Sequence, residues 1–258
     1  MTERPINQNW WAGLYDDLLA DVLLVRDDPN ELKSTLDFLS EALGIQSGDR
    51  VLDQCCGIGS LSIPLAARGF VLIGVDQAAA YTEQAAIIAR EQAVNAKFHA
   101  ADASLWVSPQ PCRAAFNWWT SFGYGVDDKS NAQMLARAYD SLAPGGIFAL
   151  DTLHLPGVLR HFQKDVVLDR HTRFGKVVLW RNSQLDLAQG RLNKSWTYLL
   201  DDGRRVEHKS SIRLYMPHSI VDMLQSVGFE SIKLYGNINK DPIHLDSPRC
   251  ICVARRPL

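Results

Sequence analysis

Three carboxylates stand at or just past the ends of short, largely apolar runs. Asp53 closes Val51-Leu52-Asp53, Asp76 closes Ile73-Gly74-Val75-Asp76, and Asp102 sits in Ala101-Asp102-Ala103. Between the first two lies Cys55-Cys56-Gly57-Ile58-Gly59. Glycine lets a backbone approach a ligand because no Cβ intervenes, and cysteine is small enough to permit nearly the same approach. An acid some twenty residues beyond such a loop can accept hydrogen bonds from both hydroxyls of a ribose. Asp102 can accept from an exocyclic adenine amine, with a backbone N–H beside it for the ring. Singly these residues read as a tight turn, an N-cap and a loop acid. Three acids at three successive run ends read together as an adenosine site.

The rest of the ligand follows by elimination. G-x-G-x-x-G fails at Ser62, no G-K-[ST] occurs, and Pro64 stands early in the following helical stretch. A first turn built to present several N–H groups to phosphate would not carry proline there. Asp53 beside the loop repels a pyrophosphate and suits a cation. S-adenosylmethionine carries both an ammonium and a sulfonium.

These residues need a scaffold that brings run ends together. Strands are expected at Val51–Asp53, Val71–Val75, Ala96–Ala100, Ala114–Trp118 and Ile147–Leu150, with helices at Leu61–Arg68, Tyr81–Gln92 and Ala132–Leu142. That alternation means a parallel sheet covered on both faces, an α/β, Rossmann-like fold of seven mostly parallel strands. In such sheets ligands bind beyond the carboxyl ends of the strands. Residues 1–49 read as an N-terminal helical lid: Leu14, Tyr15, Leu18, Leu19, Val22 and Leu23 form one stripe, and a second helix follows Pro29 with Asn30 as its N-cap. Residues 50–165 form the α/β core. Residues 166–216, rich in Val, Leu, Trp and Tyr, read as an antiparallel β insertion with turns at Ala188–Gly190 and Asp201–Gly203. Residues 217–258 supply a helix, Ile220–Val227, and an edge pair, Glu230–Tyr235 and Cys250–Ala254.

In this order and spacing VLDQCCGIG, IGVDQ, AADA, FNWWTSFGY and LAPGGIFALDT resemble the class I S-adenosylmethionine-dependent methyltransferases. The tail LYGNINKDPIHLDSPRCICVARRP is similar to a bacterial small-molecule branch. Cys55 departs from the family's commoner glycine, and Gln54 stands where an apolar residue is more usual. The resemblance implies that Cys55, Gly57 and Gly59 cradle the methionine portion and that Asp53 faces its amino group. It implies Asp76 on the ribose, Gln77 along the adenine, Asp102 and Ala103 at the adenine edge, and Asn117 near the reacting methyl. Tyr15 is a lid contact or part of the buried stripe.

Methyl transfer is an in-line displacement at a carbon already activated by positive sulfur, so alignment and exclusion of water carry most of it. A base is required only for a protonated nucleophile. His154, just beyond the fifth strand, is the base candidate, with a backbone-bonded loop histidine as the plainer reading. Trp11, Trp119, Phe122, Tyr124 and Trp180 are the acceptor-side candidates, by cation–π attraction or flat stacking, and Arg181 by meeting an acceptor carboxylate. Cleavage or cyclisation of S-adenosylmethionine itself, NAD(P)-dependent oxidoreduction and a non-catalytic binding module are the rival readings. Formal charge is −2, from 27 basic and 29 acidic side chains, which argues against a nucleic-acid partner. No run reaches membrane-spanning length and the N-terminus lacks an apolar signal core, so no membrane partner is expected. Five cysteines without C-x-x-C spacing fit neither a metal site nor a disulfide framework, which places the chain in a reducing cytoplasm. Oligomeric state is left open.

Overall fold

The computed structural model describes residues 11–25 and 28–258, with backbone alone for 11 and 12. In chain order the helices are α1 (Trp11–Leu14), α2 (Asp17–Leu19), α3 (Pro29–Ala42), α4 (Ser62–Ala67), α5 (Ala79–Glu91), α6 (Asp128–Ser141), α7 (Leu155–Arg160) and α8 (Pro217–Val227). A π turn, Ala20–Leu24, follows α2. The strands are β1 (Arg50–Gln54), β2 (Val71–Asp76), β3 (Ala96–Ala100), β4 (Cys112–Asn117), β5 (Leu142–Leu153), β6 (Asp165–Thr172), β7 (Gly175–Asp186), β8 (Arg191–Leu200), β9 (Arg205–Arg213), β10 (Glu230–Tyr235) and β11 (Arg249–Arg255).

The chain divides into two compact units. The larger comprises residues 26–160 and 215–258. It holds a seven-stranded sheet in the order β10-β11-β5-β4-β1-β2-β3. β1 to β5 run parallel, and β11 lies antiparallel between β5 and β10. The strand order reverses at β1, whose neighbours are β2 and β4. Both faces are buried, which explains the nearly unbroken apolar strand runs. Alternate residues serve opposite faces: Val51, Ala114, Phe116 and Ala149 join Leu36, Leu39 and Leu65 of α3 and α4. Leu52, Ala115, Phe148 and Leu150 join Leu135 of α6 and Ile220 and Leu224 of α8.

α3 therefore belongs to the core, not to a lid, because its Leu36, Phe38 and Leu39 pack on the sheet. Its N-cap is Asp28 rather than Asn30. Asp28 Oδ1 accepts from Asn30 N and Glu31 N, and Pro29 opens the helix.

The smaller unit comprises residues 1–25 and 161–214, within which β6-β7-β8-β9 form an antiparallel meander. Gly190 and Gly203 take positive φ in its turns. Leu14, Leu18, Leu19 and Val22 of the N-terminal turns cover one sheet face, against Val177, Leu179, Trp196 and Tyr198. Asp16 caps α2 by accepting from Leu19 N and also meets His208 Nε2 at 3.1 Å. No helix among the described residues is long and apolar enough to cross a membrane.

Candidate active site

The crevice is built at the carboxyl ends of β1, β2 and β4. Cys55 N and Cys56 N both donate to Val75 O, so the loop after β1 bends over the end of β2. Cys55, Gly57 and Gly59 have φ of 65°, 54° and 80°. The left-handed region costs a non-glycine residue about 1–2 kcal/mol, so Cys55 holds a position that glycine fills more cheaply. A Cβ on Gly59 would lie 3.0 Å from Ile63 Cδ1 and 3.2 Å from Ala85 Cβ, so this glycine seats the loop against α4 and α5. Gly74 in β2 makes room for the loop, since a Cβ there would lie 2.8 Å from Cys56 Sγ and 2.5 Å from Phe98 Cδ1.

Asp53 is buried at the tip of β1, and its Oδ2 accepts from Ser62 Oγ at 2.6 Å. Burial pushes its carboxyl up to about 7, with Asp76 adding repulsion and Ser62 pulling the other way. Asp76 Oδ2 accepts from Gly57 N and Oδ1 from Ala78 N, both at 2.9 Å, tying the glycine loop to the tip of β2. Burial raises this carboxyl too, against those N–H bonds. Asp102 is exposed, and its Oδ1 takes both Ser104 N and Ser104 Oγ. Burial and the three carboxylates hold the Cys55 thiol well above its usual range, so it stays neutral.

Asn117 closes β4 opposite Gln54 in the parallel register. Gln54 Nε2 donates to Ala103 O and Met134 O, which fixes its Oε1 as an acceptor. Asn117 Nδ2 therefore donates to Gln54 Oε1, at 3.2 Å. Ala103 is core, and its carbonyl serves Gln54. Gln77 is exposed beside Asp76.

Residues 51–146 fit the family model described as a methyltransferase domain. That stretch carries β1 to the start of β5, the part of the sheet that presents Asp53, Asp76, Asp102 and Asn117. The methyltransferase CcbJ of Streptomyces caelestis superposes with a TM-score of 0.79 at 18% identity, over 95% of this chain and 98% of that one. The sugar N-methyltransferase KedS8 of Streptoalloteichus sp ATCC 53650 gives 0.70 at 17% identity, over 90% and 89%. At these identities the likeness is one of fold. A curated relative, the 23S rRNA (uracil(1939)-C(5))-methyltransferase RlmD of Shewanella piezotolerans (strain WP3 / JCM 13877), is 44% identical over 70 residues. That match takes 27% of this chain, which spans only 16% of that enzyme's length.

The residues at these strand ends fit the chemistry of S-adenosylmethionine. The buried Asp53, with one neutral hydroxyl as its partner, suits the ammonium. Asp102, exposed and bonded through Oδ1, keeps acceptor capacity for an amine donor. Asp76 keeps acceptor capacity beyond its two N–H bonds, since a carboxylate offers about four lone-pair sites.

The acceptor-side expectations divide. Phe122 is fully buried, 5.5 Å from Tyr215 in ring centroids, so it belongs to the core and offers no face to an acceptor. Trp119 and Tyr124 are half-buried beyond β4. His154 is 2% exposed. Its Nδ1 lies 3.0 Å from Ser247 O and 3.2 Å from Gly157 N. Nδ1 serves one of these at a time: protonated it donates to Ser247 O, and bare it accepts from Gly157 N at the start of α7. Trp180, Arg181 and Tyr15 belong to the smaller unit. Trp180 is 44% exposed and donates from Nε1 to Asp165. Arg181 lies over the Trp196 ring at 5.7 Å, on the opposite sheet face from Trp180. Tyr15 packs at the edge of the apolar cluster under the meander. The side chain of Trp11 lies outside the described residues.

Sequence reading missed an ion pair with a buried carboxylate. Asp151 of β5 is 2% exposed. Its Oδ1 and Oδ2 accept from Arg249 Nε at 2.7 Å and Nη2 at 2.6 Å. An acid inside the apolar run IFALDTL was the available signal.

Proposed function

We propose that this protein transfers a methyl group from S-adenosylmethionine to a nitrogen, oxygen or carbon of a small molecule. The observation that carries the reading is Asp53: a buried carboxylate at the first strand tip that, among the described residues, has one hydroxyl as its side-chain partner and no cation in contact. Asp53 receives the cofactor's ammonium, and Asp76 receives the ribose hydroxyls while holding Gly57 in place. Asp102 meets the adenine amine. Cys55, Gly57 and Gly59 leave room beside the methionine chain, and Asn117 stands at the neighbouring tip. Bound there, the cofactor supplies a methyl carbon that a nucleophile's lone pair attacks as the bond to sulfur breaks. The protein's own work is alignment and exclusion of water, and any proton lost from the acceptor passes to solvent.

A small acceptor is favoured by the charge balance and by the likeness to a sugar N-methyltransferase. The five free cysteines and the absence, among the described residues, of a helix able to cross a membrane are in keeping with a cytoplasmic site of action. An RNA acceptor is the second reading, resting on the short RlmD match.

The test is calorimetry with S-adenosylhomocysteine, followed by radiolabelled S-adenosylmethionine with amino sugars, alkylamines, phenols and deproteinised ribosomal RNA. One-to-one binding and label in a small acceptor are expected. No binding, or binding of NAD in its place, would overturn the cofactor. Label in RNA alone would replace the acceptor. Methylthioadenosine formed without any acceptor would indicate that the cofactor is itself the substrate.

A further inference from the structure

Two consecutive non-glycine residues just past Asn117, Trp119 and Thr120, have φ of 54° and 67°. L residues avoid that region, and paired outliers persist only where the surroundings over-determine them. Here the surroundings are explicit. Trp119 N donates to Asp151 Oδ2 at 3.0 Å, and Thr120 N donates to Asp151 O at 3.2 Å. Arg249 grips both oxygens of the same carboxylate, and its Nη2 also donates to Thr120 Oγ1 at 2.7 Å. The register places Ile251 opposite Asp151, so Arg249 reaches it diagonally across the β5–β11 pair. One guanidinium thereby ties the last strand of the sheet to the turn that follows β4.

We infer that Arg249 is a positioning residue for methyl transfer. Through Asp151 it locks the Trp118–Thr120 turn at the crevice mouth, and so sets the Trp119 indole against the acceptor without touching either reactant. The inference rests on the methyltransferase reading. It also explains why the turn can be strained: the pair is bidentate and its carboxylate is buried, and leaving that carboxylate unpaired is costly. Removing both partners is milder than removing one, since no lone charge is then left buried.

Labelling with 5-fluorotryptophan, with the resonance of Trp119 identified by its loss in Trp119→Phe, reads the turn by fluorine NMR. Arg249→Gln is expected to move or broaden that resonance. Arg249→Lys should do so less, and the double variant Asp151→Asn/Arg249→Gln should recover part of the wild-type signal. S-adenosylhomocysteine affinity should stay within threefold in all three. With an acceptor from the panel, kcat/KM for that acceptor should fall at least tenfold in Arg249→Gln while KM for S-adenosylmethionine holds. A Trp119 resonance unchanged in Arg249→Gln, or a double variant worse than either single one, overturns the inference. Should Arg249→Gln not fold, Arg249→Lys and the double variant carry the comparison. If wild type fails to bind S-adenosylhomocysteine, the functional reading falls, while the fluorine spectra still judge the clamp.

Discussion

Ser62 Oγ lies 2.6 Å from Asp53 Oδ2, and this neutral hydroxyl is the hydrogen-bond partner of a carboxylate buried at the tip of β1. One hydroxyl does not offset the loss of water, so the carboxyl rises to about 7.

The sign of the pH dependence follows. Unfolded Asp titrates near 3.9, so between about pH 4 and 7 the unfolded chain loses a proton that the folded, ligand-free chain keeps. The stability contributed by protonated Asp53 is full below pH 4, drains as pH rises and levels off above 7. Asp53→Asn should therefore raise ligand-free stability at pH 8 by roughly 1–3 kcal/mol. Urea unfolding of both proteins at pH 4 and pH 8 measures it.

Binding should run the other way. An ammonium beside Asp53 favours the ionised form, so S-adenosylhomocysteine affinity should rise up to about tenfold per unit below pH 7 and flatten above. Proton release should appear as a dependence of calorimetric enthalpy on the buffer's ionisation heat. Asp53→Asn should abolish both effects and weaken binding.

Asp76 holds Gly57 N and Ala78 N, and in the proposed function it also receives the ribose. Asp76→Ala strands two backbone donors, for a loss of about 1–3 kcal/mol in stability, and should weaken S-adenosylhomocysteine at least tenfold. Asp76→Asn keeps an acceptor and should fall between. Affinity untouched in a folded Ala variant would remove Asp76 from the site.

Gly74 has no freedom to gain a methyl. Gly74→Ala drives a Cβ towards the ring of Phe98 and the sulfur of Cys56, with an expected loss of about 1–3 kcal/mol by thermal or urea unfolding. The cofactor loop should loosen with it, seen as faster hydrogen exchange at Cys55 and Cys56.

His154 is expected to act on stability rather than on proton transfer. His154→Ala removes the ring beneath Ser247 O and should cost about 1–3 kcal/mol while leaving S-adenosylhomocysteine affinity alone. A folded variant whose turnover loses a pH-dependent limb would restore it as a base.

The glycine loop and the acids at the strand ends were legible because their signals are local. A glycine loop after an apolar run, and an acid at the end of the next, are set by neighbours along the chain. Most strand positions followed for the same reason. Asn30 was read as the cap of α3 because it lies inside the polar start; Asp28, one residue before the proline, takes the role because Pro29 itself fills the first helical turn. Phe122 looked like an acceptor face only because nothing near it in sequence reveals Tyr215 beside it.

What the amino-acid order settled by itself is the alternation of strand and helix and the acids at the strand tips, because both are written in short-range pattern. Tertiary structure alone decided that Asp151 and Arg249, 98 residues apart, form an ion pair with a buried carboxylate, and that His154 Nδ1 meets Ser247 O. Those outcomes depend on which strands become neighbours and in what register, and sheet pairing joins segments that carry no mark of each other along the chain.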